Sequence, residues 1–113
     1  MKDVILRFSG SLTIGQGDVH LHNMVRKVLN EGYKIIVLDL SGVDYMDSSA
    51  VGELAAAYTS STNKGSLIAL AGLQPKIKTL LGVMCFLDIF KAYETPSDAL
   101  EQLRLEAGKI AES

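Results

Sequence analysis

The stretch Ile35-Ile36-Val37-Leu38 sets four branched apolar side chains in unbroken succession, and a strand built from them has no polar face to offer water. It reads as a strand covered on both faces. Beyond it, Ser41-Gly42-Val43-Asp44-Tyr45-Met46 reads as a loop, and from Ala50 onward Val51, Leu54, Ala55 and Tyr58 recur at spacings of three and four. That spacing forms one apolar stripe along a helix. The order is buried strand, loop, helix, with Asp47, Ser48 and Ser49 at the helix start. Unpaired backbone N–H groups and the positive end of the helix dipole meet there, so the position favours side-chain oxygens and, equally, a phosphate.

Two readings of Asp47-Ser48-Ser49 follow from the residues. Asp and Ser are favoured N-caps because their oxygens accept from the free N–H groups, and the three residues could do no more than that. The reciprocal capping box is missing, because Gly52 and not Glu or Gln stands three residues after Ser49. One cap needs one oxygen. Three polar residues in a row exceed it, and on composition alone both the capping and the phosphate-accepting readings stay open.

In chain order, Val4 to Phe8 alternates as a strand, closed by Ser9-Gly10-Ser11. Leu12 to Asp18 is a loop. Gly15 and Gly17 form no phosphate cradle, since the next position of the dinucleotide pattern is His20 and the phosphate-loop lysine is absent. From Asp18, taken as an N-cap, Leu21, Met24, Val25, Val28 and Leu29 make an apolar helical stripe that Gly32 ends. Asn63-Lys64-Gly65 stops the next helix, and Leu67 to Ala71 supplies another apolar strand. Gly72-Leu73-Gln74 leads to Pro75, a favoured first helical residue, with Ile77, Leu80, Leu81 and Met84 at helical spacing. A last short strand is expected near Lys91 to Tyr93. Thr95 then caps and Pro96 starts a helix with Ala99, Leu100, Leu103, Ala107 and Ile110 facing inward. This alternation predicts an α/β fold with a mostly parallel four-stranded sheet and about four helices.

A chain of 113 residues fits one domain, residues 1–113, with a single packed core. Hydrophobic residues make up 48%, yet no run approaches a membrane span and no signal segment opens the chain. A cytoplasmic location, with no membrane partner, is expected. With 11 basic and 13 acidic residues the formal charge is -2, which lacks the basic footprint of a nucleic-acid binder. The lone Cys85, inside an apolar stretch, is expected to be buried as a small hydrophobe. His20 and His22, two residues apart on a helix, point to different sides and make a poor metal pair. They are also the only histidines, and no Gly-x-Ser-x-Gly elbow is present, so neither a hydrolase nor any cofactor chemistry is expected. A domain taking phosphate on an aspartate would need an acidic cluster at the strand ends, for which only Asp39 and Asp44 are available.

The run Asp39-Leu40-Ser41-Gly42-Val43-Asp44-Tyr45-Met46-Asp47-Ser48-Ser49-Ala50-Val51-Gly52-Glu53-Leu54 resembles the signature of the STAS domain, the fold of bacterial anti-sigma factor antagonists. The resemblance implies a phosphorylatable serine directly after the aspartate. Here that is Ser48, with Ser49 as the fallback acceptor, and Ala50 stands where the family usually has glycine. It further implies a partner surface comprising Asp47, Ser48, Ser49 and the loops at Gly15 and Gly72. The partner would be a serine kinase that doubles as the anti-sigma factor, with a phosphatase to reset the switch. Such chains commonly carry one more strand ahead of Val4, for which Met1 leaves no room. An uncovered sheet edge, and through it a homodimer, is therefore expected. The rival within the same fold is a non-switching scaffold module in a stress-signalling or transporter-associated complex.

Overall fold

The apolar run becomes the strand its composition calls for, and alternate residues of that strand feed two separate cores. A computed structural model describes residues 2–112, with side chains through Lys109. The elements are β1 (Asp3–Leu12), α1 (Gly17–Asn30), β2 (Ile35–Met46), α2 (Ser48–Asn63), β3 (Leu67–Ala71), α3 (Pro75–Val83), β4 (Ala92–Tyr93) and α4 (Pro96–Glu112), with a 3-10 turn at Phe86–Asp88. The strands form one sheet in the order β1-β2-β3-β4, and every pair is parallel.

Period-two alternation along β2 explains the layering. Ile36, Leu38 and Leu40 point to the face carrying α1, α2 and α3, where they pack with Leu6, Leu21, Leu54, Leu81 and Phe90. Ile35 and Val37 point to the other face, where Ala99, Leu103 and Ala107 of α4 meet Ala69 and Ala71 of β3. Small residues on both sides of that second contact let α4 lie close to the sheet. It sits over β2 and β3.

The structure lengthens two strands. Ser9, Gly10 and Ser11 do not close β1; they go on pairing with Gly42, Val43 and Tyr45 through register shifts after Arg7 and after Gly10. Bulges absorb an extra residue while keeping the ladder. For the same reason Ser41 to Met46, expected to be a loop, is the far half of β2. Polar residues with no clean alternation hid this pairing.

Five expected positions also change. Asp18 is not the N-cap of α1 but its second residue, and its Oδ1 accepts from Gly15 N at 2.8 Å and from Val19 N at 2.8 Å. On α2 the buried stripe is Ala50, Val51, Leu54, Ala57 and Ser61, so Ala55 faces solvent and Tyr58 is half-buried. Met84 caps the end of α3 and is exposed. Cys85 is exposed rather than buried, because it takes the left-handed conformation (φ 56°) just past that cap and turns the chain outward. Phe86, Leu87 and Phe90 supply the burial instead. Leu21, Val25, Val28 and Leu29 of α1 are buried as expected, as are Ala99, Leu103 and Ala107 of α4; the side chain of Ile110 lies outside the described residues.

Two substitutions test this packing by chemical denaturation. Leu54→Ala, at a fully buried site, removes roughly 2–5 kcal/mol of stability. Cys85→Gly runs the other way. Relief of a left-handed residue is worth about 1–2 kcal/mol, against about 0.4–1 kcal/mol of extra unfolded-chain entropy, so the variant is neutral or slightly more stable. A thiol reagent labels Cys85 in the native protein without denaturant.

Candidate functional site

The site forms where β2 stops and α2 begins. Met46 is the last buried residue of the strand, and Asp47, in extended conformation (φ -99°, ψ 179°), is the N-cap of α2. Its carboxylate does two jobs. Oδ1 accepts from Ala50 N at 3.0 Å, which caps the helix, and Oδ2 accepts from Ile14 N at 2.9 Å, which ties the β1–α1 loop to the same point. A third bond, Asp47 N to the Leu12 carbonyl at 3.2 Å, completes the clasp.

Because Asp47 is the cap, the serines are not needed for it. Ser48 is the first residue of α2 and is exposed; Ser49 follows and is half-buried. The surplus of polar residues thus resolves into one capping carboxylate and a hydroxyl standing in solvent at the positive end of a helix.

The other candidate residues fall unequally around this point. Gly15 is drawn in: it follows Ile14, and its N–H bonds Asp18 while its φ of +93° makes the turn that a side-chain-bearing residue would resist. Gly72 directly follows β3 and lies against Ser41 and Asp39, not against Asp47. A Cβ there would come within 2.9 Å of Ser41 Cβ and 3.2 Å of Asp39 Oδ1. Gln74 Nε2 donates to the Ser41 carbonyl at 3.0 Å, joining the β3–α3 loop to β2. Asp39 and Asp44 do not gather into an acidic pocket. Asp39 is buried, accepting from Arg7 Nε at 3.2 Å and Ser41 N at 3.0 Å, whereas Asp44 is exposed.

The histidines part company as their spacing requires. His20 meets the Phe8 ring edge-on at 5.4 Å, and His22 Nδ1 lies 3.0 Å from Glu53 Oε2, linking α1 to α2. Among the described residues no cluster of three or more His, Cys, Asp or Glu is arranged to hold a metal. Two apolar residues of this region went unnoticed in the sequence: Ile14 is 73% exposed and Tyr45 is 51% exposed. An isoleucine between Thr13 and Gly15 in a turn-rich segment was the available signal.

The two N–H donors, Ile14 first and Ala50 second, favour the ionised carboxylate and hold Asp47 below its ordinary value of 3.8. A pKa lower in the folded than in the unfolded chain means that the unfolded chain takes up the proton first. The stabilisation is complete above about pH 4 and is lost as pH falls through the lowered value. In Asp47→Asn, which keeps one acceptor oxygen but cannot ionise, denaturation midpoints fall less steeply below that pH. In Asp47→Ala, the amide protons of Ile14 and Ala50 exchange faster.

Comparison with known proteins shows the family and the fold. The family model described as "STAS domain" matches residues 2–99. The anti-sigma F factor antagonist of Paenibacillus polymyxa is 30% identical over 107 residues, covering 90% of this chain and 87% of the relative. The solution structure of TM1081, a Thermotoga maritima protein, superposes with a TM-score of 0.80 at 30% identity, covering 90% of this chain and 82% of that one. The unphosphorylated form of SpoIIAA, an anti-sigma factor antagonist of Bacillus, shares the fold at a TM-score of 0.69 and 16% identity, covering 91% of this chain and 90% of that one. With the family model spanning most of its length and a 30% identical relative covering 90% of it, the chain belongs to the STAS domain family.

Proposed function

We propose that this chain is an anti-sigma factor antagonist working as a phosphorylation switch, with residues 1–113 forming a STAS domain. Unmodified, it binds a serine kinase that is also the anti-sigma factor, and the sigma factor is released. Phosphorylated at Ser48, it lets go. The observation that carries the reading is the exposed Ser48 hydroxyl at the first position of α2, beside a carboxylate that already caps the helix. The name borne by the 30% identical Paenibacillus relative supports the same role.

Charge explains how such a switch operates. A phosphate on Ser48 brings about -1.5 to -2 charges. The helix end tolerates them, because backbone N–H groups and the dipole face the added anion. A docked partner does not, because the phosphate and the Asp47 carboxylate would be buried side by side. Desolvating that pair costs several kcal/mol unless cations answer it, and a cost of about 3 kcal/mol weakens binding on the order of a hundredfold. Exposed Ile14 and Tyr45, flanking Asp47 in the β1–α1 loop and at the end of β2, give the partner apolar ground to cover before modification. In this reading the partner surface takes in Asp47, Ser48, Ser49 and Gly15, and extends to Gly72, which packs on Ser41 and Asp39 and not on Asp47.

The chain itself is no enzyme in this reading and needs no cofactor; the kinase brings ATP and magnesium. It acts in the cytoplasm, where a phosphatase resets Ser48. Among the described residues no helix is long and apolar enough to cross a membrane. A second copy of the chain, met at the open edge of β1, is a further partner.

Incubation with the cognate kinase and ATP adds one phosphate, located at Ser48 by mass spectrometry. Undiminished labelling of Ser48→Ala overturns that assignment and turns attention to Ser49. In a binding titration Ser48→Asp loses roughly a hundredfold in affinity for the kinase. Unchanged affinity identifies the chain as a non-switching scaffold instead.

A further inference from the structure

The sheet order leaves β1 with β2 on one side and, among the described residues, no strand on the other. Backbone directions along it are fixed by its bonds to β2. The Lys2 carbonyl accepts from Lys34 N at 2.9 Å and Ile35 N at 3.3 Å. In a parallel pair the direction of the backbone groups alternates along the strand. Lys2, Val4 and Leu6 therefore spend theirs on β2, while Asp3, Ile5 and Arg7 direct theirs outward. This holds up to Arg7, where the first register shift begins. Five regular residues thus present a paired-strand template whose outer groups belong to Asp3, Ile5 and Arg7.

Their side chains share the face on which α4 sits, but α4 covers β2 and β3 and leaves Ile5 at 36% and the Arg7 side chain at 80% exposure. Asp3 binds Arg104 through Oδ2 alone, at 2.8 Å to Nε and 2.6 Å to Nη2. Its Oδ1 is open. Arg7 reaches Asp39 through Nε, which leaves the Nη donors of its guanidinium available.

We infer that two copies of the chain pair through β1, antiparallel and centred on Ile5, with Asp3 of each copy facing Arg7 of the other. Outward-facing residues must oppose outward-facing residues for the ladder bonds to form, so only a few registers qualify. Centring on Asp3 or on Arg7 sets like charges face to face, which is destabilising. Centring on Val4 or Leu6 leaves both charges opposite something other than each other. Centring on Ile5 sets Asp3 against Arg7 twice, Ile5 against itself, and Val4 against Leu6 on the opposite face, where both belong to the apolar core layer. The arrangement joins two four-stranded sheets into one. It rests on the edge contact between copies and is independent of the Ser48 switch, since Ile5 precedes Leu12 by seven residues and so lies roughly 23 Å from it along the strand.

Sedimentation analysis from micromolar to near-millimolar protein gives a concentration-dependent dimer. Asp3→Arg alone and Arg7→Asp alone each weaken it by about tenfold or more, because like charges then meet across the edge. The double exchange restores it, although it breaks the same contacts to Arg104 and Asp39 as the single variants together. In a Cys85→Ser background, Ile5→Cys forms a disulfide-linked dimer on mild oxidation, since directly opposed Cα atoms of a bonded antiparallel pair lie about 5.5 Å apart. This variant decides the question even if a charge exchange unfolds the chain. A monomer at every concentration overturns the edge contact itself. A dimer indifferent to charge reversal, or one without the Ile5→Cys cross-link, overturns the register while leaving the Ser48 reading untouched.

Discussion

Burial of β2 from both sides is the constraint on which the other features rest. Ile35 and Val37 serve one core, Ile36, Leu38 and Leu40 the other, and all five are shielded from solvent. Since successive side chains point to opposite faces, a slip of one residue would exchange the two sets. The exchange would push Leu38 and Leu40 into the α4 layer, which is lined largely by the alanines Ala69, Ala71, Ala99 and Ala107, and would leave voids beneath α1 and α2. Register along β2 is therefore held by shape on both faces. Its end, and with it the start of α2, is correspondingly well placed.

That placement is what a regulatory hydroxyl needs. Asp47 joins three parts of the chain through Leu12, Ile14 and Ala50, so the β1–α1 loop cannot move without the helix entrance. Ser48 follows on a rigid element and owes nothing to the cap. Electrostatics at this point has two faces. The helix end receives an anion readily because the positive end of the α2 dipole faces it, whereas a protein surface pressed against it must strip water from two neighbouring negative groups. One modification can thus leave the fold intact and end an interaction, as the proposed switch demands.

The paired half of β1 and β2 beyond Leu38 shows how polar sequence can be ordered by its neighbours. Ser9-Gly10-Ser11 and Ser41-Gly42 have little strand preference of their own. They stay in the ladder because the flanking apolar residues Phe8, Leu12, Val43 and Met46 are buried and carry them along. Bulges supply the twist that brings Leu12 and Ile14 over Asp47. The irregularity of this parallel pairing and the geometry of the site are one feature.

Residue order alone was enough for the fold class, the alternation of strands and helices, the stripe of α1 and the position of Asp47-Ser48-Ser49 at a helix entrance. Each of these depends on local periodicity or on a residue type whose chemistry suits one place, as Pro75 suits the first turn of α3 and Gly32 suits the end of α1. Tertiary contacts decided the rest. Whether Ser41 to Met46 is loop or strand depended on a partner strand more than thirty residues away, and whether Asp47 or Ser48 caps α2 depended on the Ile14 amide that claims the second carboxylate oxygen. Cys85 is outside because a left-handed turn after Met84 redirects the chain, which hydrophobicity does not encode. Local sequence specifies which elements can form; the pairing of distant backbone groups, where burial leaves no donor or acceptor to spare, specifies where they end and which side chains they leave in solvent.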